Sequence, residues 1–352
     1  MEGLLLPFNV KTKYWGARSF YGNMTIVLGI ESTAHTFGVG IATERGEILA
    51  NVFKTYRPPS GGIKPSEAAE HHSKVAPGVL KEALRKASLD PPDLDAIAVA
   101  LGPGMGPCLR VGATLARYLA LKYDKPLVPV NHAVAHIEIA LLTTGFKDPV
   151  IVYVAGGNTI ISAFNAGRYR VFGETLDIPI GNCLDTFARE IGLGFPGVPK
   201  LEELARKGSN YIELPYVVKG QDLSYSGLLT YALKLYKEGS YKLEDLCFSL
   251  LETAYSMLVE VTERAVAHTG KREVVLTGGV ARSELLSRKL QLMAESRGVS
   301  FARVLGELAG DNGAMIAYTG ALAYTSGITI PVEESRIRPL WRLDEVDIPW
   351  RK

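Results

Sequence analysis

A duplicated α/β fold, with two lobes facing each other across a cleft, is what this chain of 352 residues predicts. Three observations carry that expectation. A three-strand meander occurs twice, a unit of strand, glycine turn and helix also occurs twice, and glycine-rich turns recur at equivalent strand exits. Two such halves set face to face bring their glycine turns to one crevice, where sheet-based folds of this kind bind ligands.

The first meander runs TIVLGIE, TFGVGIAT and EILANVFKTY, with the turn Glu44-Arg45-Gly46 before its last strand. The second runs VIVYVAG, TIISAF and YRVFGET, joined by Gly156-Gly157-Asn158 and Asn165-Ala166-Gly167. LDAIAVALGPG followed by CLRVGATLARYLALKY then matches KREVVLTGG followed by ARSELLSRKLQLMAES. This duplicated two-lobe plan is that of actin and hexokinase, the actin-like ATPase (ASKHA) fold of ribonuclease H-like type. The lobes are expected over 24–146 and 147–325, with a tail over 326–352 packing on the body. An extension over 1–23 precedes them, either a small extra element or the product of a start codon set too early.

Composition sets the outer limits. An apolar fraction of 47% fills two cores, and a net charge of +2 with mixed signs offers no basic arm for neutralising many phosphates. The cysteines Cys108, Cys183 and Cys247 are scattered, odd in number and without CxxC spacing, which fits a reducing cytoplasm. No apolar run is long enough to span a bilayer, so no membrane is expected. GLLLPF near the start has no basic residue before it and does not read as a signal peptide. Other nucleotide folds fit less well. LGPGMGP lacks the Gly-x-Gly-x-x-Gly spacing, no acidic residue closes the next strand, and no Gly-Lys-Ser/Thr ends a glycine loop.

His132 and His136, four residues apart in NHAVAHIEIA, should project from one helix face. They are either a metal-gripping pair or two histidines that merely pack there. Asp311, in Gly310-Asp311-Asn312-Gly313 before AMIAYTGALAY, is either a helix N-cap or the carboxylate that completes a three-ligand set. That set leaves positions for substrate or for a phenolate such as Tyr153. Glu31, at the end of the first strand, reads as a cap or surface charge. Asp185 and Glu202 flank GLGFPGVPKLEELA, a loop that could offer carboxylates to a sugar. His71 and His72 read as an exposed helix face, and His268 has no chemical company.

GIESTAHTFGVGIA, RPPSGGIKPSEAAEHH, NHAVAHIEIA, YVAGGNT, CLDTFAREIGLGFPG, QDLSYSGLLTYAL, LTGGVA and GDNGAMIAY resemble, in order, the signature segments of the TsaD family in its archaeal and eukaryotic form. The likeness runs from about Met24 to the tail RPLWRLDEVDIPW. It implies an actin-like fold and one divalent metal, iron or zinc. It also implies ATP, ADP or threonylcarbamoyl-AMP as bound nucleotide, and transfer of threonylcarbamoyl to the tRNA adenosine just 3′ of the anticodon. By resemblance the metal ligands are His132, His136, Asp311 and Tyr153. The strand exit Val154, Ala155, Gly156 and Gly157 would approach phosphate or acyl group. Asp185, Glu202 and the loop glycine Gly197 would belong to the nucleoside pocket, and Gly278 and Gly279 would lie near adenine. Partners implied are tRNA, a small atypical protein kinase and further KEOPS subunits. No general base is assigned by the resemblance.

Two positions depart from the family pattern. Val198 stands where PGGPK has its second glycine, and Ser283 where GGVAxN has asparagine. A β-branched residue disfavours positive φ, so the loop is expected to shift and nucleotide to bind more weakly. Two rival readings remain. A metallopeptidase is opposed by Ala133, which stands where His-Glu-x-x-His has its glutamate. A non-catalytic nucleotide switch would tolerate loss of the metal ligands.

Overall fold

The computed structural model describes residues 18–58 and 61–351. Its framework is two five-stranded sheets of identical topology. In the first, β1 (Ile26–Glu31), β2 (Thr36–Thr43) and β3 (Ile48–Thr55) form an antiparallel meander, and β1 pairs in parallel with β4 (Ala96–Gly102), which pairs with β5 (Leu127–Asn131). The second repeats this with β6 (Val150–Val154), β7 (Thr159–Asn165) and β8 (Arg168–Glu174), then β11 (Glu273–Thr277) and β12 (Ser300–Arg303). Between β8 and β11 a two-strand ribbon pairs β9 (Val218–Lys219) with β10 (Asp222–Leu223). Strands β1 and β4 are buried along their whole length, as IVLGIE and AIAVALG require of strands covered on both faces.

The helices follow the same duplication. After β3, β4 and β5 come α1 (Pro65–Ala87), α2 (Gly106–Tyr123) and α3 (His132–Thr144). In the second half the first of these is replaced by α4 (Ile180–Glu190), α5 (Val198–Ala205), α6 (Ser226–Glu238) and α7 (Leu243–Thr269). The other two correspond to α8 (Glu284–Arg297) and α9 (Gly313–Thr325). The last helix of each half crosses to the opposite sheet. Ala133, Val134 and Ile137 of α3 pack with Ile151, Tyr153 and Val275, while Met315 and Ile316 of α9 pack with Val27, Ala98 and Val128. This exchange joins the two lobes and sets α3 beside α9.

Glycine makes the exchange sterically feasible. A Cβ on Gly40 would lie 2.2 Å from the backbone nitrogen of Ala314, so α9 rests directly on the strand backbone. Gly40→Ala is expected to destabilise the protein by about 1–3 kcal/mol or more through overpacking against backbone that cannot step aside. A lowered urea midpoint at unchanged m-value is the readout.

No helix among the described residues is long and apolar enough to cross a membrane. Most of the extension over 1–23 lies outside the described residues. Of the remainder, Arg18 pairs with Asp95 at 3.0 Å and donates to the Met24 carbonyl at 2.9 Å. At the other end, the Arg338 amide donates to Leu101 O at 2.7 Å, and the Ile348 amide to Gly167 O at 2.9 Å. The final segment therefore runs from the first lobe to the second along the cleft.

Candidate metal and nucleotide cleft

The cleft between the lobes has a volume of about 1220 Å³. At its base α3 begins, capped by Asn131, whose side chain accepts from the amides of Ala133 and Val134 at 2.9 and 3.2 Å. Across from it Asn312, not Asp311, caps α9 by accepting from the Met315 amide at 3.0 Å. Asp311 is thus relieved of the capping role that its position suggested. Its Oδ1 lies 3.2 Å from His136 Nε2 and 3.5 Å from His132 Nε2. One ligand atom from each of the three residues lies within 4.8 Å of the others. Residues 175 positions apart in sequence therefore converge because α3 and α9 are neighbours.

Glu31 is neither a cap nor a surface charge. It is fully buried, and its Oε2 accepts from His132 Nδ1 at 2.8 Å. Its Oε1 accepts from both the amide and the hydroxyl of Thr33 at 2.6 Å. With Nδ1–H donated to Glu31, His132 turns Nε2 toward Asp311, the carboxylate–histidine arrangement that orients metal ligands. Nothing local in the sequence marks this pair, since the partners stand 101 residues apart.

The electrostatics follow from this burial. Burial alone would lower His132, but the charge and hydrogen bond of Glu31, with Asp311 beyond, raise it to about 9. Burial keeps His136 below the ordinary imidazole range. Burial would raise Asp311, yet the hydrogen bond from His136 and the charges of both histidines hold its carboxyl well below the usual range. Burial, then Asp311 and Glu31, push the Tyr153 phenol far up. Its ring stacks obliquely on His136 at 4.9 Å. A cation here must displace the His132 proton, so metal affinity is expected to fall roughly tenfold per unit as pH drops below about 9. Competition with a chelator at several pH values measures this. The same proton stabilises the metal-free fold below about pH 6.5, and that contribution is lost as pH rises through about 9.

Two imidazoles and a carboxylate suit a divalent transition metal. Nδ1 of His136 is also a buried ring nitrogen without a hydrogen-bond partner among the described residues. The donor set fits a cation site; the orphaned Nδ1 lies on the other side of the His136 ring from the Nε2 that faces Asp311.

The opposite wall carries the nucleoside candidates. Asp185 on α4 accepts from the Gly197 amide at 2.7 Å, which ties the Gly192–Gly197 loop to α4. Glu202 on α5 accepts from the Ser283 hydroxyl, which in turn accepts from the Leu286 amide and caps α8. Burial raises both carboxyls. Ala155, Gly156, Gly157 and Gly279 line the cleft, and Cβ atoms on the three glycines would meet open space, leaving backbone accessible to a ligand. Val154, Gly197 and Gly278 do not line it. Val154 points into the second core, and Gly278, at φ +94°, packs against the Val154 carbonyl. Val198 is the first residue of α5, a helical position that asks for no positive φ, so valine is accommodated without strain there. Of the other histidines, His72 is buried rather than exposed, and His268 packs its exposed ring on Phe172.

Fold and site together define a class: an actin-like two-lobed α/β protein with a His-His-Asp group that could hold a metal ion at the base of its interlobe cleft. Among solved structures, T. kodakarensis HypF shares the fold at a TM-score of 0.61 and 17% identity, over 86% of this chain and 48% of that one. The family model "tRNA N6-adenosine threonylcarbamoyltransferase" (TsaD) matches residues 47–318. Proteins of that name from Thermofilum pendens and Caldivirga maquilingensis are 73% and 59% identical, each over 92% of this chain and 97% and 98% of their own. The chain belongs to the TsaD family.

Proposed function

We propose that this protein transfers a threonylcarbamoyl group from threonylcarbamoyl-AMP to N6 of the tRNA adenosine immediately 3′ of the anticodon, with one iron or zinc ion held by His132, His136, Asp311 and Tyr153. The observation that carries the reading is the convergence of His132, His136 and Asp311 at the base of a cleft whose far wall carries Asp185 and Glu202. A bound cation supplies Lewis-acid polarisation and charge neutralisation at the mixed anhydride.

The chain's own residues do the rest. Asp185 and Glu202 face the nucleoside sugar, and the bare backbone of Gly156, Gly157 and Gly279 lets phosphate and base come close. Glu31 holds His132 in the tautomer that leaves Nε2 free. Positioning matters because an exocyclic adenine amine is a poor nucleophile, and alignment of the reacting atoms supplies much of the acceleration. Bound ATP or ADP would occupy the same pocket. We place the enzyme in the cytoplasm, with tRNA, a small atypical kinase and other KEOPS subunits as partners. A chain of net charge +2 gains from sharing the phosphate-binding surface.

Reconstitution with those subunits, synthetic donor and unmodified tRNA, followed by mass spectrometry of the digested nucleosides, tests the reading. Modified adenosine that depends on this chain is expected. Donor consumed without modified nucleoside would refute transfer to tRNA.

A further inference from the structure

The segment between β1 and β2 is clamped at three consecutive carbonyls. Thr33 O accepts from the Met105 amide at 2.8 Å, Ala34 O pairs with His72 Nε2 at 2.9 Å, and His35 O accepts from the Tyr56 amide at 2.7 Å. The buried His72 has its reason here: burial lowers it to about 4, so it stays neutral and donates steadily to Ala34 O. The backbone of His35 is therefore fixed by three separate elements. Its half-buried imidazole lines the cleft edge-on to Phe195 at 5.8 Å, with no hydrogen bond to its ring among the described residues. The ring lines the same cleft as Asp311 on the metal side and Asp185 on the nucleoside side.

Among the described residues, the other titratable groups at that depth each hold at least one protein partner. His132 is held by Glu31, and His136 faces Asp311. Asp185 holds Gly197, Glu202 holds Ser283, and Glu174 pairs with Arg342 at 3.1 Å. Glu307 has no side-chain partner among the described residues, but it is exposed on the rim.

We propose that His35 is the general base of the transfer, accepting the proton that the attacking adenine amine must lose. This rests on the transferase reading above. In the step, the N6 lone pair forms a C–N bond to the carbamoyl carbon. The bond from that carbon to the phosphate oxygen breaks, and its electron pair leaves with AMP. One N6 proton passes to a free ring nitrogen of His35 and from there to solvent. A positioned base of this kind contributes about 10²–10⁴-fold.

The test is steady-state transfer by the metal-loaded protein in its reconstituted complex, with synthetic donor and unmodified tRNA. His35→Gln is expected to lower kcat about 100-fold with KM for tRNA within about threefold, and added imidazole to restore His35→Ala at least about tenfold. Glu307→Gln should stay within about threefold of the parent. Near-normal kcat in His35→Gln, or a loss confined to KM, would overturn the base, as would failure of imidazole rescue in a folded His35→Ala that still binds donor and metal. An unmutated complex that makes no modified adenosine defeats the transferase reading instead, and the base with it.

Discussion

Replacing His136 by alanine is expected to strip the cation from the cleft and lower modified-adenosine formation by about 10³-fold or more, the several kcal/mol that a catalytic metal supplies. The imidazole removed is fully buried, and its Nε2 stands 3.2 Å from Asp311. His132, Asp311 and Tyr153, left without the second imidazole, hold the ion far more weakly against solvent. Truncating a buried side chain also leaves a void, so Asp311→Asn is the companion variant, keeping volume while removing charge. Both should lose bound metal and transfer together while the metal-free proteins still unfold cooperatively. A nucleotide-operated switch acting only through partners would keep its activity in both. Measuring metal per chain by elemental analysis beside the transfer assay separates the two.

Glu31→Gln should be nearly as damaging, for a reason that depends on which oxygen bonds to what. Oε1 receives two donors from Thr33, so the amide oxygen of the glutamine must settle there. The amide nitrogen then faces His132 Nδ1, where Oε2 had accepted at 2.8 Å. Donation to Nδ1 forces the ring proton onto Nε2, and the lone pair meant for the metal is lost. Outer partners of metal-bound histidines are worth roughly 10–100-fold in affinity, and a reversed tautomer places this variant at the upper end, about 100-fold. A chelator competition titration reads the loss directly. Unchanged affinity would mean that His132 ligates through a different arrangement.

Much of the architecture was legible because duplication writes itself into sequence. The two meanders and the two strand, turn and helix units appear as read, and they form sheets of the same strand order. The histidine pair was legible for the same local reason, being one helical turn apart on α3. What escaped depends on contacts between distant segments. Glu31 is a strand-end carboxylate like any other until α3 brings His132 to it. His72 looks like a helix-surface residue until Ala34 O lies over its ring nitrogen. The exchange of α3 and α9 between lobes leaves only the close-approach glycines as its trace, and these are indistinguishable from ordinary strand glycines without coordinates. Ser283 was read by what it replaces, whereas its hydroxyl caps α8 and braces Glu202 at once.

Anomalous diffraction at the iron and zinc edges, from crystals of the metal-loaded protein with a non-hydrolysable analogue of threonylcarbamoyl-AMP, reaches the centre of this account. One peak bounded by His132, His136 and Asp311, with the analogue's sugar against Asp185 and Glu202, is the expected result. A peak elsewhere in the chain, or an analogue bound away from the interlobe cleft, would contradict it.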